Sequence, residues 1–491
     1  MRHTSRTFRF WFLLALALAS SLMTDAWARP NRPPNIVFIL ADDLGIHDLA
    51  CYGRTEHATP HLDRLAREGT RFTAAYCAQP ICSASRAALM TGKSPARLHL
   101  TTYLPGRADS RSQIVLHPSI EPQLRLAEVT VAEPLRTAGY ATACIGKWHL
   151  GGKGFGPAEQ GFDVVHPGKA NTTPSDVEGG KGEWDLTAAA ERFMEETKDR
   201  PFFLLLSHNS PHIPYTERSE RIAARPGAFE PTYAAVIESL DATVGRVMST
   251  LDRLGIAEQT VVVFTSDNGG LHVPELRHER VTHNGPFRAG KGYLYEGGLR
   301  IPLIVRWPGH VPARRVTEVP FLNTDWLPTL LELCGVQAPD RLDGHSAAQF
   351  LLGRSRAPNR ELFWHFPHYT NQGGRPSGAV RDGRWKLIEF YDTYDLELYD
   401  LQSDPGETRN LARDEPRRLR HLRKTLARWR TEVGAQANTP NPAAEPAAFR
   451  RLYVDFDPSQ FRPTRATSED WKRVAAWREA MDAALVAPGT N

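Results

Sequence analysis

The sequence predicts an α/β protein: a large, mostly parallel sheet flanked by helices, followed by a smaller α+β module built on an antiparallel sheet. Three observations predict it. Four apolar runs are continuous rather than alternating, which marks strands buried on both faces. Segments of helical spacing separate them. Beyond about residues 352–360 the pattern changes to short strand-like runs.

The four runs each end in polar residues. Asn35–Ala41 leads into Asp42-Asp43, and Thr260–Ser266 into Asp267-Asn268. The run 140–145 leads into Gly146-Lys147-Trp148-His149, and 202–206 into Ser207-His208-Asn209-Ser210-Pro211-His212. Ligands of open α/β sheets bind beyond the carboxyl ends of the strands. The four polar ends are therefore expected to converge in one crevice.

Helices are expected between the strands. Thr59-Pro60 through Glu68 has a capping threonine, proline at the first helical position and Gly69 just past the end. Residues 233–254 carry Val236, Leu240, Val244, Val247, Leu251 and Leu254 on one apolar face. A further apolar run at 301–305 and a helix at 326–334 complete this part. In the second module, 378–381, 385–390 and 396–401 read as strands. Residues 416–433 read as its closing helix, with Leu419, Leu422, Leu426, Trp429 and Val433 inward and the arginines on a solvated face. The Ala, Pro, Asn and Gly of 434–447 suggest a linker or surface crossing. A last helix is expected over 468–485, capped by Thr467 with Asp470 three residues on.

The composition, 41% hydrophobic and 24% charged over 491 residues, belongs to a globular chain. Residues 1–28 have the form of a secretory signal: Arg2, Arg6 and Arg9, the apolar stretch from Phe10 to Ala19, then Ala26-Trp27-Ala28 as cleavage site. That stretch is shorter than the roughly 20 residues of a membrane span. The expectation is an exported protein, periplasmic or secreted, without stable membrane insertion. Cleavage would remove three arginines and Asp25, taking the formal charge from +4 to +2. This near-neutral balance argues against nucleic acid as a partner. The expected division is a signal peptide at 1–28, a catalytic domain at 29–352, an antiparallel-sheet module at 353–435 and an extension with a helix at 436–491.

Two adjacent aspartates at one strand end and an Asp-Asn pair at another are hard oxygen donors with excess negative charge. They suit Ca²⁺ or Mg²⁺ better than zinc, which prefers His and Cys. Five cysteines (Cys51, Cys77, Cys82, Cys144, Cys334) are an odd number, so at least one is unpaired or altered. Cys82 stands apart from the other four, which read as buried thiols with at most one disulfide. The segment Cys82-Ser83-Ala84-Ser85-Arg86 opens an apparent helix stopped by Gly92, placing Cys82 where helix N–H groups favour an anion.

These residues carry a resemblance. Cys82-Ser83-Ala84-Ser85-Arg86 occurs with Asp42-Asp43 upstream. Downstream stand Gly146-Lys147-Trp148-His149-Leu150, Asp267-Asn268-Gly269-Gly270, and Lys291 before Glu296-Gly297-Gly298. The ordered set resembles the formylglycine-dependent (type I) sulfatases of the alkaline-phosphatase-like superfamily, over roughly residues 35–335. Leu398-Tyr399-Asp400-Leu401 and the run from Asp404 to Leu411 are similar to the family's C-terminal region. One departure stands at Ala84, where many relatives carry proline. It leaves open which maturation enzyme would act on Cys82.

The resemblance implies a mechanism. A formylglycine-generating enzyme oxidises Cys82 to an aldehyde, and one hydroxyl of the aldehyde hydrate attacks sulfur. Asp42, Asp43, Asp267, Asn268 and the modified Cys82 hold Ca²⁺, with Mg²⁺ the lesser candidate. Arg86 and Lys147 stabilise the hydrate and the sulfate charge, while His212 and Lys291 meet the ester and assist the departing alcohol. His149 takes the proton of the second hydroxyl, which expels sulfate and restores the aldehyde. The expected substrate is a sulfate ester, on a carbohydrate. His99, Arg107, His283, Arg288, Arg300, His365 and His368 are read as structural rather than as pocket lining.

Two alternatives remain at this stage. A phosphodiesterase or phosphonate monoester hydrolase of the same superfamily would turn over an aryl phosphodiester in preference to an aryl sulfate. A catalytically silent carbohydrate-binding protein would keep a thiol at Cys82 and bind no metal.

Overall fold

The computed structural model describes residues 32–276, 280–356 and 360–485. The expected signal segment at 1–28 lies outside them. Nine strands form the main sheet: β1 (Asn35–Ala41), β2 (Thr70–Tyr76), β3 (Ala141–Gly146), β4 (Val164–His166), β5 (Phe202–Ser207), β6 (Thr260–Ser266), β7 (Arg300–Arg306), β8 (Arg315–Thr317) and β9 (Phe321–Leu322). Their order is β9-β2-β7-β6-β1-β5-β3-β4, with β8 also paired to β2.

The four apolar runs are the adjacent central strands β6, β1, β5 and β3, all parallel. All are buried along their whole length, which is why their sequences do not alternate. The strand at 301–305 enters as β7, antiparallel to both β6 and β2, so the sheet is mixed.

Helices cover both faces: α1 (Pro60–Glu68), α2 (Cys82–Thr91), α3 (Glu183–Thr197), α4 (Pro231–Arg253) and α5 (Trp326–Leu333). Val37 and Ile39 pack with α1, α3 and α4, while Ile36, Phe38 and Leu40 pack with α2 and α5. The alternating side chains of one strand thus serve two cores.

The start of α1 differs from expectation. Thr59 makes no cap bond; its hydroxyl accepts from the Ala50 amide at 3.0 Å. Asp241 of α4 takes the cap's place, accepting from the amides of His61 (3.2 Å) and Leu62 (2.7 Å). Gly69 is not a left-handed stop either: its φ is −135°, and a Cβ there would stand 2.3 Å from the Val305 carbonyl oxygen. Close approach to β7, not turn chemistry, requires the glycine.

Four antiparallel strands form the second sheet: β10 (Glu361–Phe366), β11 (Ser377–Asp382), β12 (Trp385–Phe390) and β13 (Leu396–Asp400). Trp364, Ala379, Ile388 and Tyr399 on its inner face join the core that holds α2. Val380, Leu387 and Leu398 on its outer face are covered by Leu422 and Leu426 of α6 (Pro416–Glu432). Lys386 ties the module down, buried and 2.9 Å from each of Glu296 and Glu407.

The surface crossing at 434–447 is more structured than its composition suggests. Thr439–Pro440 pairs with Val115–Leu116, and buried Asn441 donates to the carbonyls of Ser110 and Gln113. Two helices follow, α7 (Pro446–Tyr453), which the sequence reading missed, and α8 (Ser468–Ala483). The latter opens with the expected box between Thr467 and Asp470. Phe449, Leu452, Val474, Trp477 and Met481 pack against Val273 and Tyr369. No disulfide joins any of the five cysteines.

Candidate active site

Strand register builds the site. Ala41 pairs with Ser266, so Asp42-Asp43 and Asp267-Asn268 leave the sheet side by side, and the Asp267 amide donates to the Ala41 carbonyl at 3.1 Å. Gly146 pairs with Ser207, and the Lys147 amide donates to the Ser207 carbonyl at 2.9 Å. Gly146 has φ +103°, and a Cβ there would lie 1.9 Å from that carbonyl oxygen, so glycine is required for Lys147 to turn inward. Asp43 and His149 are non-glycine residues at φ near +60°, a conformation that clusters at functional sites.

Cys82 is the first residue of α2 and is 2% exposed. Its Sγ lies 3.6 Å from Asp42 Oδ1 and 3.7 Å from Asp43 Oδ1. Asp42, Asp43, Cys82 and His212 each offer a ligand atom, all within 4.8 Å of one another. Asp267 stands at the edge of this group, its oxygens engaged by the Asp43 amide at 3.0 Å and by Arg86 Nε at 2.8 Å. Asn268 donates to Asp43 Oδ1 at 2.8 Å and to the Gly269 carbonyl, leaving its own Oδ1 buried with no partner.

Cations surround the carboxylates. Lys147 Nζ is 2.5 Å from Asp42 Oδ2, Lys291 Nζ is 2.7 Å from Asp43 Oδ2, and Arg86 Nη2 is 3.6 Å from Asp42 Oδ1. Burial alone would raise all three carboxyls. The positive charges around Asp42 and Asp43 more than offset it and hold both below the ordinary range. Asp267 goes the other way: burial and the charge of Asp42 push it up to about 6, against the pull of Arg86. Burial also raises the Cys82 thiol well above its ordinary value, so as cysteine it is no thiolate nucleophile.

The two histidines have assignable tautomers. His149 Nε2 is 3.1 Å from the Leu104 carbonyl and therefore carries the proton, which leaves Nδ1 as a buried lone pair without a partner. His212 Nδ1 donates to the Ile213 carbonyl at 2.6 Å, so Nε2 accepts from Lys291 at 3.2 Å. Burial first, then the nearby lysines, pushes both rings down to about 4, and both are neutral at pH 7.

All ten residues singled out from the sequence thus lie around one point. Several supporting residues were assigned no role from the sequence, although Ser85 and Ser207 lie within its polar signatures. Ser207 Oγ accepts from Arg86 at 2.7 Å, and Ser85 donates to the Asp267 carbonyl at 2.5 Å while accepting from Asn323. Buried Lys181 donates to Asn171 (2.5 Å) and to the Pro214 carbonyl (3.0 Å), bracing the loop that carries His212. Among the residues read as structural, Arg288 binds Tyr399, Asp457 and Ser459, and Arg300 binds Glu296 and Tyr76. His365 contacts Tyr391 and Gln436, and His368 contacts Thr101. Arg288, His365 and His368 thus tie the smaller sheet and the C-terminal extension across to other parts of the chain, whereas Arg300 is held within the larger module.

The family model Sulfatase matches residues 34–336, and the model N-sulphoglucosamine sulphohydrolase, C-terminal, matches residues 287–432. The chain is 37% identical to human arylsulfatase A, over 81% of this chain and 86% of that one. It is 30% identical to N-acetylgalactosamine-6-O-sulfatase of Bacteroides thetaiotaomicron, over 82% and 94%. The crystal structure of Ps i-CgsB in complex with k-i-k-neocarrahexaose superposes with a TM-score of 0.70 at 25% identity, covering 92% of this chain and 99% of that one. A match that spans most of the chain in order, with the charged strand ends already gathered around Cys82, makes this protein a member of the sulfatase family, an enzyme that hydrolyses sulfate esters.

Proposed function

We propose that the enzyme removes sulfate from a carbohydrate by way of a formylglycine derived from Cys82, beside a Ca²⁺ held by Asp42, Asp43, Asp267, Asn268 and the modified residue. The observation that carries this reading is the meeting of Cys82 Sγ with Asp42 and Asp43 at 3.6 and 3.7 Å, ringed by three cations. The donor set fits a hard cation. It is rich in oxygen, it includes the partnerless Asn268 Oδ1, and it gathers the buried carboxylates of Asp42, Asp43 and Asp267. When present, the ion would polarise a sulfate oxygen and the aldehyde hydrate would supply the attacking hydroxyl.

The chain's own side chains do the rest. Arg86 is locked by Asp267, Ser207 and the Lys147 carbonyl, and with Lys147 it presents fixed positive charge toward the sulfate. Lys291 keeps its proton, because Asp43 outweighs the cost of burial. It is therefore the proton-bearing member of the pair that faces the leaving oxygen, and His212 Nε2 orients it. His149 offers Nδ1 as the base for the second hydroxyl.

Export by the 1–28 segment, maturation by a formylglycine-generating enzyme and the division at about 352 and 435 belong to the same reading. No described helix is long and apolar enough to cross a membrane. The carbohydrate substrate is supported by the N-acetylgalactosamine-6-O-sulfatase and neocarrahexaose-bound relatives. Mass spectrometry of the peptide containing Ile81–Arg86, from protein made in its native host, tests the reading. An aldehyde at position 82, with turnover of an aryl sulfate above that of an aryl phosphodiester, is expected. An intact thiol in active protein would overturn it.

A further inference from the structure

The helix α6 carries more positive charge than its fold requires. Between Arg417 and Arg430 stand six arginines and one lysine, and its only acid is Glu432, the last residue. The first turn is arranged against the helix dipole, with Arg417 and Arg418 and no acid, while the last turn holds both Arg430 and Glu432. Arg420 and Lys424, like Lys424 and Arg428, are like-charged neighbours four residues apart, which is destabilising.

The structure sorts these cations into two groups. Arg423 and Arg430 lie 3.0 and 3.9 Å from Glu389, and Arg418 covers the ring of Trp385 at 5.2 Å. Arg417, Arg420, Lys424 and Arg428 are exposed and have no ion pair among the described residues. Their spacing, i, i+3, i+7, i+11, puts them on one face, a row about 16 Å long at helical rise. The opposite face, Leu422 and Leu426, is buried on the outer side of the antiparallel sheet, whose other side packs on the core that holds α2. The row is therefore separate from the catalytic site, and a ligand reaching both must be long.

We infer that this row is a docking site for the sulfated polysaccharide chain that carries the scissile ester. The inference rests on the proposed carbohydrate substrate. Guanidinium forks match the paired oxygens of a sulfate group, and a linear polyanion presents such groups in series along the row. The chain as a whole is nearly neutral, so this row is a local feature and not the consequence of a basic protein.

The test uses the full chain, matured, with Arg417→Gln, Arg420→Gln, Lys424→Gln and Arg428→Gln combined, beside a variant carrying lysine at all four positions. Binding to dextran sulfate and to unsulfated dextran is measured across a salt series. The glutamine variant is expected to lose roughly tenfold or more in dextran sulfate affinity and to flatten its salt dependence. The lysine variant retains the salt dependence, and a small aryl sulfate is hydrolysed equally by all three. Equal dextran sulfate binding by wild type and glutamine variant would overturn the inference, as would equal binding of unsulfated dextran. Tighter binding of DNA or of anionic phospholipid vesicles than of dextran sulfate would overturn the assigned partner. A binding difference without aryl sulfate turnover in any variant would strike the catalytic reading and leave the docking site standing.

Discussion

Lys291 Nζ lies 3.2 Å from His212 Nε2, and both face Oδ2 of Asp43. In the proposed mechanism this protonated lysine, donating to a neutral histidine beside a carboxylate, meets the oxygen of the leaving alcohol. Lys291→Ala is expected to lower kcat by about 10²–10³, the range for losing one preorganised donor. The loss should grow as the alcohol becomes a poorer leaving group. A loss equal for nitrophenyl and alkyl sulfates would remove Lys291 from leaving-group assistance.

Arg86 is buried and joins Asp267, Asp42, Ser207 and the Lys147 carbonyl. Arg86→Met leaves buried carboxylates without their partner, and a cost of about 3–5 kcal/mol is expected. Arg86→Lys should recover little of it, because one ammonium cannot span four acceptors. Urea denaturation of the Ca²⁺-free protein gives the comparison, and a methionine variant as stable as wild type contradicts it.

Asn268→Ala removes the partnerless oxygen but no charge. Calcium affinity by titration calorimetry should fall, while the melting temperature without Ca²⁺ stays within a few degrees of wild type. Unchanged affinity would take Asn268 out of the ligand set.

Gly146→Ala forces a Cβ to within 1.9 Å of the Ser207 carbonyl oxygen, at a φ of +103°. A destabilisation of at least about 2 kcal/mol is expected, together with lost activity because Lys147 is displaced. Thermal melting and aryl sulfate turnover should fall together.

His208 and His272 are pushed down to about 4, and His365 to about 3, burial being the first cause in each. A folded-state value below the unfolded one of about 6.5 means that the unfolded chain binds the extra protons. The contribution is therefore complete above pH 6.5 and is lost as the pH falls through about 4, at about 1.4 kcal/mol per pH unit for each ring. Urea midpoints should drop steeply from pH 7 to 4.5, and His272→Gln should make the slope shallower. A flat profile over that interval would show that these rings are protonated in the fold.

Much of this protein is written locally. Continuous apolar runs mark strands covered on both sides, and the polar residues closing each run mark the ligand edge, so β1, β3, β5 and β6 were legible one segment at a time, whereas Cys82, Arg86 and Lys291 lie off these strands and gained their proposed roles only from the ordered resemblance. The box between Thr467 and Asp470 is equally local. Partnership is not. Asp241 rather than Thr59 caps α1 because α4 brings a carboxylate closer to the free amides than the threonine can reach. Lys181 braces the His212 loop, and Glu389 decides which arginines of α6 are neutralised. Backbone periodicity depends on neighbours in the chain, whereas a hydrogen bond or ion pair depends on distances across it, and those exist only once the sheet has set its register.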